Sequence, residues 1–352
     1  MQVRRLFAGS NGANGFHSFF QYIIGEDARR VYLLKGGPGT GKSRLMKDVA
    51  SALQAEGLAL ELFFCSSDSH SLDAFACPEL GVAVMDATSP HAQEPELPGC
   101  RDELIALGDF WDGEKLAQDR DEIAAVGRVK ARHFASAFRY FAAALALEEN
   151  LAARAAGGRR EISGELTAIL EQIQSAERNG CPVGRARHLF ASALTPEGYV
   201  SEIASLSAGM HTYVLTGPPG SGQSEYLELM LRHGELAGLN VEVFHYPLQP
   251  ERLLHLLFPE LNLAVLTATE LEPLHSVQGE RICCGLERES TPDARDRQLF
   301  RELVDLGIGE LRQAQHAHAA VEELYAAAMD FGAVEQLRER LKAEILAYKN
   351  RS

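Results

Sequence analysis

The run Gly36-Gly37-Pro38-Gly39-Thr40-Gly41-Lys42-Ser43 satisfies the phosphate-cradling pattern G-x-x-x-x-G-K-[ST] at every fixed position. Glycines let the backbone curl so that successive N–H groups point inward at an anion, and the N-terminus of a following helix presents its positive end to the same anion. Lys42 would then reach the outer phosphates and Ser43 would ligate magnesium. The alternative is a glycine-rich turn that binds nothing.

A second signature lies downstream. Val82-Ala83-Val84-Met85-Asp86 is four apolar residues ending in a carboxylate, and Asp86 is expected to hold the water shell of a magnesium ion, a hard cation that prefers oxygen. An Asp capping the next loop is the alternative. Ala87 stands where motor-type ATPases often carry a glutamate, which argues against a strong hydrolase of that kind. Groups to orient an attacking atom are sought at strand ends: Asp68 and His70 after the second strand, His91 after the third. Asp109 and Asp112 flank the only tryptophan, Trp111, and either line a site or follow Trp111 as it packs. Arg128, Lys130, Arg132 and Arg139 supply a charge-neutralising finger or merely a solvated helix face.

These residues need elements to hold them. Val31-Tyr32-Leu33-Leu34 precedes the loop and residues 43–56 follow it, so the setting is strand, loop, helix. Further strands are expected at residues 60–65 and 82–85, short apolar runs typical of parallel strands covered on both faces. Helices are expected at 16–24, 102–107, 114–126, 129–155 and 161–178, with a break at Gly157-Gly158 and an interdomain turn at residues 179–182.

The chain also repeats itself. Thr216-Gly217-Pro218-Pro219-Gly220-Ser221-Gly222-Gln223-Ser224 copies the loop at an offset of 181 residues, which also aligns Pro78-Glu79-Leu80 with Pro259-Glu260-Leu261. In the copy Gln223 replaces Lys42 and Thr267 replaces Asp86, so the loop shape is kept and both charged groups are lost. Strands are expected at 213–215, 241–246 and 263–266, and helices at 293–306, 308–329 and 334–348, with Tyr325 to Met329 echoing Phe141 to Leu145. The fold class expected is α/β: a tandem duplication over residues 1–180 and 181–352, each half a parallel sheet flanked by helices with a helical arm at its C-terminal side. The arms' apolar stripes should pack on each other or on the cores.

The balance of 34 basic against 49 acidic residues, a formal net charge of −15, opposes binding to a polyanion such as DNA. No stretch approaches the roughly 20 apolar residues that span a bilayer, and no signal-peptide pattern opens the chain, so a cytoplasmic location is expected. The six cysteines show no C-x-x-C pairing and read as reduced thiols, with Cys65, Cys77, His91 and Cys100 a conceivable zinc set.

Residues 36–43, Cys65-Ser66-Ser67-Asp68, Pro78-Glu79-Leu80-Gly81, Asp86-Ala87-Thr88-Ser89-Pro90-His91 and Gly108-Asp109-Phe110-Trp111-Asp112 together resemble a family of bacterial proteins with two tandem P-loop halves, described as ATP-binding proteins or ATPases. The resemblance implies a duplicated P-loop NTPase fold, ATP as ligand with Mg2+, and roles for Lys42, Ser43 and Asp86 in binding it. It also makes the Ser-Ser-Asp and Pro-His stretches, and with them Asp68 and His91, look like site elements. The opening Gly36-Gly37-Pro38-Gly39 is also similar to the phosphate loop of nucleoside monophosphate kinases, from which Ser43 departs. The expectation is an ATPase in the first half with a degenerate second half, the alternatives being a kinase of a small acceptor or a nucleotide-responsive module that binds a protein partner.

Overall fold

The computed structural model describes residues 3–155, 164–176, 182–285 and 291–349. The expected break at Gly157-Gly158, the start of the helix at 161 and residues 179–181 of the interdomain turn lie outside them.

In the first half the order is β1 (Val3–Leu6), β2 (Gly9–Gly12), β3 (Gly15–Ser18), β4 (Arg30–Lys35), α1 (Lys42–Ala55), β5 (Leu60–Cys65), β6 (Asp68–Cys77), β7 (Val82–Asp86), β8 (Asp102–Ala106), α2 (Gly113–Gln118), α3 (Arg120–Ala155) and α4 (Gly164–Ser175). The second half runs β9 (Ala186–Leu189), β10 (Ser192–Thr195), β11 (Gly198–Ser201), α5 (Ile203–Leu206), β12 (His211–Thr216), α6 (Gln223–Leu236), β13 (Val241–Tyr246), β14 (Gln249–Phe258), β15 (Leu263–Thr267), β16 (Glu280–Cys283), α7 (Thr291–Ala327) and α8 (Phe331–Tyr348).

The sheets are β1-β5-β6-β7-β4-β8 and β9-β13-β14-β15-β12-β16. Their strand order is the same, as a duplicated chain requires. Neither is wholly parallel, which corrects the expected parallel sheet: β6 pairs antiparallel with both β5 and β7, and β14 does the same with β13 and β15. The polar start of β6, Asp68-Ser69-His70-Ser71, hides it as a strand in the sequence. A two-residue turn at Ser66-Ser67 folds it back on β5.

Strand residues alternate between two cores. Tyr32, Leu34, Val82 and Val84 face α1, while Val31, Leu33, Ala83 and Met85 pack with Val214, Phe244, Ala264 and Leu266 of the second sheet. The two sheets therefore cover one face of each other, joined in that shared core by Ile203 and Leu206 of the short α5, and the longer helices cover the outer faces. Each sheet is buried on both sides, as its continuous apolar strands demand, but one cover is the other half of the chain. Phe7 and Phe190 mark the join, each N–H donating to the other's carbonyl at 3.0 Å. Around it Arg4 bonds Glu61 at 2.6 Å and Glu242 at 2.5 Å, and Arg187 bonds Glu61 at 2.7 Å.

The outer helices are exchanged. Val334, Leu337, Leu341 and Ile345 of α8 enter the core of the first sheet beside α1, and Arg338 reaches Asp48 at 2.5 Å. Leu166, Ile169 and Ile173 of α4 enter the core of the second sheet with Leu227 and Met230 of α6. The arms α3 and α7 pair antiparallel, from Lys130 beside His318 to Arg154 beside Asp293. The expectation that the arms pack on each other or on the cores is met by the pairing of α3 with α7.

Other expectations change. Residues 16–24 form β3 and one 3-10 turn (Phe20–Tyr22) rather than a helix, because Gly15 at φ 106° closes a hairpin with β2. Residues 102–106 form β8, captured by the free edge of β4, and Leu107 begins a 3-10 turn. The helices expected at 293–306 and 308–329 are one continuous α7. Its Gly307 is a point of close approach rather than a break, since a Cβ there would lie 2.3 Å from the Phe141 ring. Phe141 is buried mid-arm while Tyr325 stands at the end of α7, so the Phe141 and Tyr325 stretches are not equivalent in space. No described helix is long and apolar enough to cross a membrane.

Candidate functional site

β4 delivers the chain to the glycine-rich loop and α1 carries it away at Lys42, so the loop sits where strand, turn and helix N-terminus meet. Gly39 and Gly41 adopt φ of 69° and 86°, left-handed values that glycine tolerates at no steric cost. Lys42 Nζ donates to the carbonyls of Gly36 at 2.7 Å and Gly37 at 2.8 Å, and lies 3.6 Å from Asp86 Oδ2. β7 is the direct neighbour of β4 in the sheet, with Leu34 opposite Asp86, and this register sets the carboxylate at the foot of the loop. Thr88 ties the two together: its N–H donates to Asp86 Oδ1 at 2.8 Å, its hydroxyl donates to the Gly36 carbonyl at 3.0 Å, and it accepts from Gly36 N–H. Ser43 Oγ accepts from Leu72 N–H at 3.0 Å. The backbone amides, the lysine and the oxygens of Ser43 and Asp86 are groups of the kind that hold a polyphosphate with a hard cation.

The second loop keeps the shape without the charges. Gly220 and Gly222 are again left-handed, and Ser221 Oγ donates to the Pro218 carbonyl as Thr40 Oγ1 does to that of Gly37. Gln223 Nε2 reaches the Gly217 carbonyl at 3.2 Å in the place of the lysine contact. Thr267, in the place of Asp86, is buried.

Each loop is roofed by the arm of the other half. α7 lies over the first loop, where Gly37 abuts Tyr325 and a Cβ on Gly39 would lie 2.3 Å from the Glu322 carbonyl. Burial, then the nearby Asp68, raises the Glu322 carboxyl, while a hydrogen bond from the Gly39 backbone opposes this. α3 contributes Lys130, whose ammonium lies 3.2 Å from His318 Nδ1. Burial lowers the Lys130 pKa, and burial together with Lys130 and Lys42 lowers that of His318 to about 4. Of the four basic candidates on the first arm, Lys130 alone is turned into the site; Arg128, Arg132 and Arg139 are exposed.

Asp68 opens β6 and accepts from Ser71 Oγ at 2.5 Å and from Gln315 of α7 at 3.5 Å, so it stands between loop and arm. His70 is exposed. His91 is buried, stacked on Phe20 at 4.8 Å, and its Nε2 lies 3.6 Å from Asp73 Oδ1. Asp73 is the site residue that sequence reasoning missed. It is the bulged residue of β6 opposite Phe63 and Phe64. Burial, with repulsion from Asp86 and relief from His91 and Lys42, pushes its carboxyl up to about 6. Asp73 thus stands in the field of His91 and of the Lys42 and Asp86 pair. A buried carboxylate inside an apolar strand was the available signal, but no spacing rule flags a bulge.

The four-residue zinc set is not assembled. Cys77 faces the α1 core and Cys100 is exposed, while Cys65 and His91 do come together, with Asp73 as the third member. Trp111 leans on Tyr325, and its neighbours tie to the turn after α7 through Asp112 N–H to the Ala328 carbonyl at 2.7 Å and Asp330 N–H to that of Phe110 at 2.8 Å. Asp112, of the acidic pair around it, is therefore part of the joint that seats α7.

No curated protein and no solved structure matches the chain. The family model described as Nephrocystin 3, N-terminal matches residues 16–77, a stretch that holds β4, the first loop, α1 and the β5–β6 hairpin.

Proposed function

We propose that the chain is a duplicated P-loop NTPase of the tandem ATP-binding type that its motifs resemble, binding ATP with Mg2+ at residues 36–43 and hydrolysing it in the first half. The carrying observation is the asymmetry of the two loops: Lys42 and Asp86 meet at 3.6 Å in the first, and both are replaced in a second loop of the same shape. Lys42 would leave its own loop carbonyls for the β- and γ-phosphates, Ser43 and Asp86 would hold the ion and its waters, and Asp68 would orient the attacking water. Lys130 would neutralise developing charge from the arm. The second half is structural or regulatory.

One observation favours a second reading, a nucleotide-responsive module. The backbone of α7 at Glu322 lies directly against Gly39 of the phosphate loop, so a bound phosphate would shift the arm that both halves share. A turnover assay on wild type and Lys42→Ala, with and without a metabolite library, separates the readings. Phosphate release abolished in Lys42→Ala supports hydrolysis, labelled phosphate on an acceptor indicates a kinase, and binding without turnover indicates the module. Wild-type protein that binds no ATP in magnesium sinks all three.

A further inference from the structure

Cys65 ends β5, Asp73 is the bulge of β6, and His91 follows β7; one ligand atom from each lies within 4.8 Å of the other two. The 3.6 Å between His91 Nε2 and Asp73 Oδ1 is too long for a hydrogen bond. It is close to the edge, roughly 3.4 Å, of a tetrahedron built from metal bonds of about 2.1 Å.

Two atoms here are left wanting. Asp73 Oδ2 and His91 Nδ1 are buried without a hydrogen-bond partner, in residues only 4% and 7% exposed. A buried carboxylate oxygen without a hydrogen-bond partner is costly, and a cation held by Asp73 would remove that cost. The sulfur is prepared as well: Ser67 N–H donates to Cys65 Sγ at 3.4 Å, the kind of outer contact that supports a metal-bound ligand. Phe20 and Phe16 hold the His91 ring from two sides at 4.8 and 5.0 Å.

The fold does not need this trio. The second sheet repeats the bulge at the same offset, on Leu254, and there Tyr246 and Glu272 stand in place of Cys65 and His91. The donors occur only in the half that carries Lys42 and Asp86.

We propose that Cys65, Asp73 and His91 bind a divalent transition-metal ion of the zinc type, with a fourth position left open to water. One thiolate, one imidazole and one carboxylate are a zinc donor set, and sulfur excludes magnesium. Binding releases the Cys65 proton to solvent. The site uses no nucleotide ligand and stands independently of the function proposed above.

The test uses the full chain, stripped with a chelator and dialysed. Wild type is expected to take up about one equivalent of Zn2+, and its Co2+ form to show tetrahedral bands with a thiolate charge-transfer band. Cys65→Ser should lose that band. Asp73→Asn and His91→Gln should weaken zinc binding by more than the roughly 10–100-fold that follows loss of an outer-sphere partner, while Cys77→Ser keeps it. Failure of wild type to take up zinc, or persistence of the charge-transfer band in Cys65→Ser, overturns the proposal. If the variants do not fold, zinc-edge X-ray absorption of wild type decides: a single sulfur with nitrogen and oxygen ligands supports the site, and no sulfur or more than one overturns it.

Discussion

Gly39 lies so close to Glu322 that a side chain on the glycine would meet the Glu322 carbonyl at 2.3 Å, and Gly220 in the second loop stands in the same relation to Ala152, at 2.8 Å. Each loop is closed by the partner arm. The Glu322 carboxylate, 49% exposed, is a like charge that a phosphate entering the first loop would meet. Glu322→Gln is expected to tighten Mg-ATP binding by up to about tenfold, from the loss of a charged competitor worth about 1 kcal/mol. Calorimetric titration measures it, and an unchanged or weaker affinity would show that the carboxylate does not compete.

Lys42→Ala should weaken Mg-ATP binding by between about 10- and 100-fold, the range of one hydrogen bond to a charged group. Gln223→Ala should leave that affinity within about twofold, since no charge is lost. Equal losses in the two variants would place nucleotide in both loops.

Lys130→Ala is expected to lower kcat with a smaller effect on KM, because a group supplied from an arm acts on charge that develops in the transition state. Steady-state kinetics of the full chain tests this. A change confined to KM would make Lys130 a ground-state contact.

The halves should not be separable. Leu341 of α8 is 2% exposed within the core of the first sheet, and Leu341→Ala should cost about 2–5 kcal/mol. Residues 1–180 alone, lacking α8, should expose that core and fail to unfold cooperatively. Denaturant unfolding checks both, and a stable, cooperative fragment would contradict the helix exchange. Nucleotide binding is therefore to be measured on the whole chain.

Stability should fall with acid from about pH 6.5. His188 Nδ1 lies 2.8 Å from His245 Nε2, and His245 Nδ1 lies 2.6 Å from the Pro250 carbonyl. His245 thus donates through Nδ1 and accepts from His188, so the His245 ring is neutral. Burial, then repulsion from His188, pushes His245 down to about 3, and burial lowers His188. The unfolded chain takes up protons near 6.5 that the folded one refuses, so this stability is complete above pH 6.5 and drains away toward about pH 3. The slope is about 1.4 kcal/mol per pH unit for each such ring. His245→Gln, which can still accept and donate, should flatten the limb between pH 6.5 and 4.5 in urea melts. An unaltered slope would assign it to other groups.

The sequence by itself determined the local motifs and the repeat. The glycine spacing at residues 36–43, the run ending in Asp86 and the 181-residue offset place strand, loop, helix and repeat, because each depends on neighbours within a few residues. Asp68 and His91 were legible as residues near strand ends, though Asp68 opens β6 rather than lying in a loop. Only the tertiary structure decided what lies beside them. Asp73 reaches His91 through a bulge, Lys130 and Glu322 arrive at the first loop on arms distant in sequence, and α4 and α8 cross to opposite cores. The antiparallel β6 and the edge strand β8 were hidden because their pairing partners, not their own periodicity, make them strands. The physical reason is common to all of these: an apolar face specifies that it must be covered, and only the folded chain specifies by which other segment.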